Sequence, residues 1–195
     1  SSAASDVYKR QGKVSAAVGA SELIRRFSPD CIVSTGVAGG IDACLKVTDV
    51  VASQRLVYHD VWCGDGNEYG QVQGFPASYE GCSSLLKHAL SLNEAGMESR
   101  IHSGLVCTGD QFITNRTELD TIKQRFPDGL AVDMESAAIA QTCYLYNVPF
   151  LSFRIISDTP GVEDHASQYA DFWGTMAERS FLTIWTFLST LPSNL

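Results

Sequence analysis

Residues 130–158, LAVDMESAAIAQTCYLYNVPFLSFRIISD, decide the fold. Leu130–Val132 is a short apolar run that follows a Pro127-Asp128-Gly129 turn signal. Met134–Tyr146 reads as a largely apolar helix, closed by Asn147 and Pro149, because proline cannot continue a helix. Phe150–Ile156 is again apolar and of strand length, which fits a strand buried on both faces. A strand, a helix and a second strand in close succession point to a parallel pairing.

The same alternation extends outward. Asn115–Phe126 reads as an amphipathic helix, Ile101–Thr108 as a strand and Glu80–Ala95 as a helix. Asp49–Tyr58 is β-branched and strand-like, whereas Trp62–Ser78 is rich in Gly, Asn, Gln and Pro and reads as a long loop. Cys31–Val33 reads as a short buried strand, with Thr35–Gly40 (TGVAGG) as a glycine-rich turn after it. Lys13–Phe27 has a helical spacing of apolar residues stopped by Pro29, and Gln168–Leu191 reads as one long closing helix. The fold class is therefore α/β: a three-layer domain with a central, mostly parallel twisted sheet flanked by helices. Residues 1–11 differ from the rest. They lack apolar periodicity, and DVYKRQ resembles the translation of a transposon-end adaptor. They read as a non-native segment, with the domain occupying 12–195.

Composition narrows the function. The chain has 195 residues, 45% of them hydrophobic and 18% charged, which suits one domain with a sizeable core. Lys and Arg number 14 against 22 Asp and Glu, for a net charge of −8 with no basic run. Nucleic acids and anionic membranes bind clustered cations, so neither is an expected partner. No apolar stretch reaches the roughly 18 residues that suggest a membrane span, and no signal peptide is visible. Six cysteines stand at 31, 44, 63, 82, 107 and 143 without a C-x-x-C pair, as expected of scattered thiols in a reducing cytoplasm.

Four predicted strand ends carry chemistry: TGVAGG, CTGDQFI, AVDMES and RIISDTPG. Open α/β sheets bind ligands at such ends, so all four could line one pocket. TGVAGG alone suits either a tight turn or a close approach of backbone N–H groups to a ligand. Asp133 and Glu135 lie at the start of an apolar helix. The helix dipole accounts for Asp133, but a carboxylate at 135, among Ala137, Ala138, Ile139 and Ala140, needs a partner. Asp158 either starts a turn before Pro160 or is a partly buried acid able to donate a proton, with Ser157 beside it.

In this order and at these intervals the segments resemble the 5′-methylthioadenosine/S-adenosylhomocysteine nucleosidases of the purine-nucleoside-phosphorylase/uridine-phosphorylase superfamily. The likeness runs from Gly12 to about Leu191. It includes GKVSAAVGA, TGVAGG, LKVTDVV, YHD at 58–60, EYGQ at 68–71, TGDQFI, AVDMESAAIA and Ser157-Asp158. The resemblance implies hydrolysis of the N-glycosidic bond of either thio-nucleoside, with release of adenine. Asp158 would protonate N7 of adenine with Ser157 positioning it. Phe112 would stack on the purine, and the backbone at Ile113 would read its edge. Glu135 would hold ribose hydroxyls, with Met134 against the sugar. Ala38 and Gly39 would line the ribose and water side, Arg154 would support the Asp158 region, and Tyr169 would close over the ligand. No cofactor and no metal is implied. A cytoplasmic homodimer acting in methionine salvage is.

Three departures from the family pattern stand out. The family opens with a strand and a water-activating glutamate ahead of the position matched by Gly12, and no residue here takes that role. The expectation is a domain lacking its first strands, impaired by itself beside an active parent. Asp133 stands where Glu is common, and Val37 where Ser is frequent. The lost hydroxyl at 37 favours a nucleosidase over the nearest rival, a phosphorylase of the same superfamily. A non-catalytic purine-nucleoside-binding fragment is the remaining alternative.

Overall fold

A computed structural model describes residues 11–96, 99–159 and 165–191. Residues 1–10 of the segment read as non-native, and Pro192, lie outside them. Helix α1 spans Lys13–Phe27, buries Ala16, Ala20 and Ile24, and ends at Ser28 in the left-handed conformation. Six strands follow: β1 (Ile32–Gly40), β2 (Val50–Tyr58), β3 (Tyr79–Glu80), β4 (Ile101–Thr108), β5 (Gly129–Asp133) and β6 (Phe150–Asp158). Helices α2 (Ser83–Ser91), α3 (Arg116–Arg125), α4 (Ser136–Tyr146), α5 (His165–Asp171) and α6 (Ala177–Ser189) connect or follow them.

The strands form one mixed sheet in the order β3-β2-β4-β5-β1-β6. Its long ladders are parallel: β1 on β6 from Ile32 opposite Phe150, and β2 on β4 from Val50 opposite Ile101. Short antiparallel contacts join β1 to β5 at Gly39–Gly40 and β2 to β3 at Arg55–Leu56. The α/β expectation thus holds, with helices packed on the sheet.

TGVAGG is not a turn. It is the last six residues of β1, paired with β6 as far as Gly39. Its glycines make room for neighbouring side chains: a Cβ on Gly36 would lie 2.6 Å from Arg154 Nη1, and one on Gly40 would lie 3.0 Å from Ile156 Cγ2. The expected helix over 80–95 is also divided. Tyr79–Glu80 pairs with β2, α2 follows, and Leu92–Ala95 tightens into a 3₁₀ turn ended by Gly96 at φ 74°. The closing helix is interrupted by a wide π-helical turn at Phe172–Met176.

Three apolar clusters hold the layers together. Ala16 and Ile24 of α1 and Ala137 and Cys143 of α4 cover one region of the sheet at Val51, Val106 and Ile156. Leu85 and Ala89 of α2 and Phe187 of α6 cover another at Leu151 and Phe153, where the Phe153 and Phe187 rings stack 4.6 Å apart. Leu119 and Ile122 of α3 close the third over Leu105 and Cys107. Burying a side chain of this size contributes about 1.5–3 kcal/mol. Among the described residues no helix is long and apolar enough to cross a membrane.

Candidate active site

The parallel ladders bring the carboxyl ends of β1, β4, β5 and β6 together, and a cavity of about 120 Å³ opens there. All four chemically rich segments contribute to it. Ala38 and Gly39 come from β1, Phe112 and Ile113 from the turn after β4, Met134 and Glu135 from the turn after β5, and Ser157 and Asp158 from the end of β6. Tyr169 on α5 completes the lining. A register shift between Ala38 and Gly39 sets Gly39 directly opposite Asp158.

Asp158 is 4% exposed and Ser157 1%. The Ser157 hydroxyl donates to Asp158 Oδ1 at 2.5 Å, which aims the carboxyl group. Thr159, the next residue, donates its backbone N–H to Gln168 Oε1 at 2.9 Å, so α5 is tied to the acid's own strand end. This bond sets Tyr169 over Phe112, with the two rings edge to face at 5.9 Å. Phe112 is exposed, and Ile113 behind it is buried.

Glu135 is half-buried, and Gly12 donates its backbone N–H to Glu135 Oε1 at 3.0 Å. Burial, and then the charge of Asp133, raise the Glu135 pKa, while the Gly12 N–H and Arg154 pull it back. Asp133 is buried and fully engaged. It accepts from Arg154 Nε at 2.8 Å, from Thr108 Oγ1 at 2.6 Å, and from both the backbone and hydroxyl of Ser136.

Arg154 was expected to support the region of Asp158. Its bonds instead reach Asp133, Ser136 and Ser34, because the space left by Gly36 admits the guanidinium on that side. Arg154 therefore lies behind the cavity, on the Glu135 side. The other proposed site residues all line the cavity. Val37, Gln111, Val132 and Asp133 of the same four segments line it too, and the one residue not foreseen is Gln11, which belongs to the segment read as non-native. The Gln11 amide lies 3.5 Å from Met134 Sδ. The Gln11 contact has no local sequence signal, since it joins segments distant in the chain, and the Gln168 bond spans nine residues with no motif to mark it.

A buried acid held by a hydroxyl, an exposed aromatic face and a second carboxylate around a small cavity suit a ligand with a flat, protonatable base and a polyhydroxyl portion. Comparison with known proteins agrees. A family model described as the phosphorylase superfamily matches residues 5–189. A 5′-methylthioadenosine/S-adenosylhomocysteine nucleosidase of Chromohalobacter salexigens is 45% identical over 157 residues, 80% of this chain and 67% of the relative. One from a Geobacillus species is 39% identical over 181 residues, 92% of this chain and 78% of the relative. The crystal structure of the Neisseria meningitidis nucleosidase in complex with methylthio-immucillin-A superposes with a TM-score of 0.86 at 35% identity, covering 93% of this chain and 78% of that one. The Colwellia psychrerythraea nucleosidase in complex with adenine gives 0.87 at 35%, covering 95% and 77%. On this combined footing of sequence, fold and cavity, the chain belongs to the 5′-methylthioadenosine/S-adenosylhomocysteine nucleosidases of the phosphorylase superfamily.

Proposed function

We propose that this protein hydrolyses the N-glycosidic bond of 5′-methylthioadenosine and S-adenosylhomocysteine, releasing adenine and the thioribose product. The observation that carries the mechanism is the Asp158 carboxyl, buried beside Ser157 and opposite Gly39, in the same cavity as Phe112 and Glu135. Adenine leaves poorly as an anion and well once protonated. Asp158 gives its proton to N7, a step typically worth about 10²–10⁴-fold. Phe112 stacks on the purine and the backbone at Ile113 reads its edge. Glu135 accepts from the ribose hydroxyls with the oxygen that Gly12 leaves free, and its charge faces the oxocarbenium ion. Met134 packs on the sugar and Tyr169 covers the ligand, while water adds to C1′ from the Ala38–Gly39 side as the bond to adenine breaks, its proton passing to solvent and the Asp158 carboxylate taking a proton back before the next turnover.

Among the described residues lining the cavity none is basic, and Val37 brings no hydroxyl, which supports water over phosphate as the acceptor. A cytoplasmic homodimer serving methionine salvage is the setting proposed for this activity. Changing Asp158→Asn is expected to abolish adenine release, read by the absorbance change of the freed base, with little loss of adenine affinity in calorimetry. Equal loss of turnover and affinity makes Asp158 structural. A strict requirement for phosphate replaces the nucleosidase by a phosphorylase.

A further inference from the structure

Asp60 lies two residues beyond β2 and outside the cavity lining, yet two other parts of the chain, α1 and the turn after β4, meet on its carboxylate. Lys13 Nζ, from the first residue of α1, donates to Asp60 Oδ1 and Oδ2 at 2.9 and 2.8 Å. The backbone N–H of Asp110, in the turn after β4, donates to Asp60 Oδ2 at 2.9 Å. Asp110 returns the link, because its Oδ1 accepts the backbone N–H of Lys13 at 2.7 Å. The neighbouring Gly109 lies so close that a Cβ there would be 2.4 Å from the His59 ring and 3.0 Å from Asp60 Cγ. On its other side Gly109 donates its N–H to the Asp133 carbonyl at 3.1 Å.

The turn so fastened is the one that presents Phe112 and Ile113 to the cavity, two and three residues beyond the bonded N–H. The same α1 terminus that receives Asp110 supplies the Gly12 N–H to Glu135. The purine side and the ribose side of the site are thus fixed to one lysine–aspartate pair. Asp60 and Lys13 are largely shielded, with side chains 16% and 23% exposed, so solvent screens their attraction only in part.

We infer that Asp60, held by Lys13, is a positioning residue that fixes the 109–113 turn for purine binding through the backbone N–H of Asp110. This deepens the nucleosidase assignment and rests on it. Removing the carboxylate releases the Asp110 N–H and the Lys13 ammonium, and leaves the turn tied to α1 only by the Lys13 N–H on Asp110 Oδ1. Binding of the base then has to order the turn, and affinity falls.

The test is calorimetric binding of adenine to the parent, Asp60→Ala, Lys13→Met, the double variant and Lys13→Arg. Adenine affinity is expected to fall about tenfold in Asp60→Ala, which corresponds to the coupling usual between bonded neighbours. The double variant is expected to be no worse than Asp60→Ala, and Lys13→Arg to recover most of the affinity that Lys13→Met loses. In steady-state assays the loss falls on KM more than on kcat. Lys13→Met keeps the test usable where Asp60→Ala does not fold. Folded variants that bind adenine as tightly as the parent, or losses that simply add in the double variant, overturn the inference. A parent that does not bind adenine overturns the nucleosidase assignment itself.

Discussion

Glu135 faces two opposite demands. Its partly buried position beside Asp133 favours the neutral acid, while the proposed chemistry needs the carboxylate. Its raised pKa gives the acid limb of kcat/KM a definite sign: activity rises with pH through a value above the ordinary 4.5 of a glutamate. Glu135→Gln is expected to lower kcat/KM about a hundredfold, the usual scale for losing a group that faces developing charge. A pH–rate profile checks both. Stability carries the opposite sign. A carboxyl whose folded pKa is raised contributes stability below its unfolded pKa and loses it as pH rises through the raised value. Glu135→Gln is therefore expected to unfold at a higher temperature than the parent at pH 7, with the difference closing on acidification below the unfolded pKa. Thermal melts across that range measure it, and a variant less stable at pH 7 counts against the strained carboxylate.

Two element ends near the site have separate stabilising devices. Helix α3 follows directly on the 109–114 segment. The side chain of Asn115 accepts the Glu118 backbone N–H at 3.0 Å, capping it. Asn115→Ala is expected to cost about 1 kcal/mol in urea unfolding. At the other end of α3, Lys123 donates to the Pro127 and Gly129 carbonyls and to Asp42 Oδ2. The backbone N–H of Cys44 and then Lys123 hold the Asp42 carboxyl down at about 2. A depressed acid contributes stability above its unfolded pKa of 3.8 and loses it as pH falls toward the folded value. The stability gap between the parent and Asp42→Asn should therefore be full at pH 7 and shrink at pH 2. Elements of this kind were legible because their signals are local. The amphipathic period over Asn115–Phe126 marks α3, and the run Ile101–Thr108 has the length of a strand. TGVAGG misled because glycine is permissive: nothing nearby distinguishes a turn from a strand that must admit an arginine from its neighbour.

The whole molecule shows the same division. The order of rich strand ends along the chain foretold a shared pocket, since parallel strands deliver their carboxyl ends to one side. The partners of Arg154 could not be foretold, because Ser34, Asp133 and Ser136 lie on three different elements. Arg154 and Asp133 have side chains 4% and 1% exposed, and they join β6, β5 and, through Ser34, β1. Thr108 of β4 bonds the same carboxylate, so four adjacent parts of the sheet converge on one ion pair beneath the cavity. Such a pair adds little net stability over an apolar replacement, but either ion left alone is costly. Arg154→Met is thus expected to destabilise the fold by about 3–5 kcal/mol, because Asp133 remains buried without its cation. Arg154→Met with Asp133→Asn removes both charges and should recover part of that loss, although each substitution alone destabilises. Urea titration of the three variants decides the matter. A double variant as unstable as the sum of the singles means that the two residues act separately. A double variant more stable than Arg154→Met means that the cost lies in the unpaired charge, and that the floor of the site is held by its neutralisation.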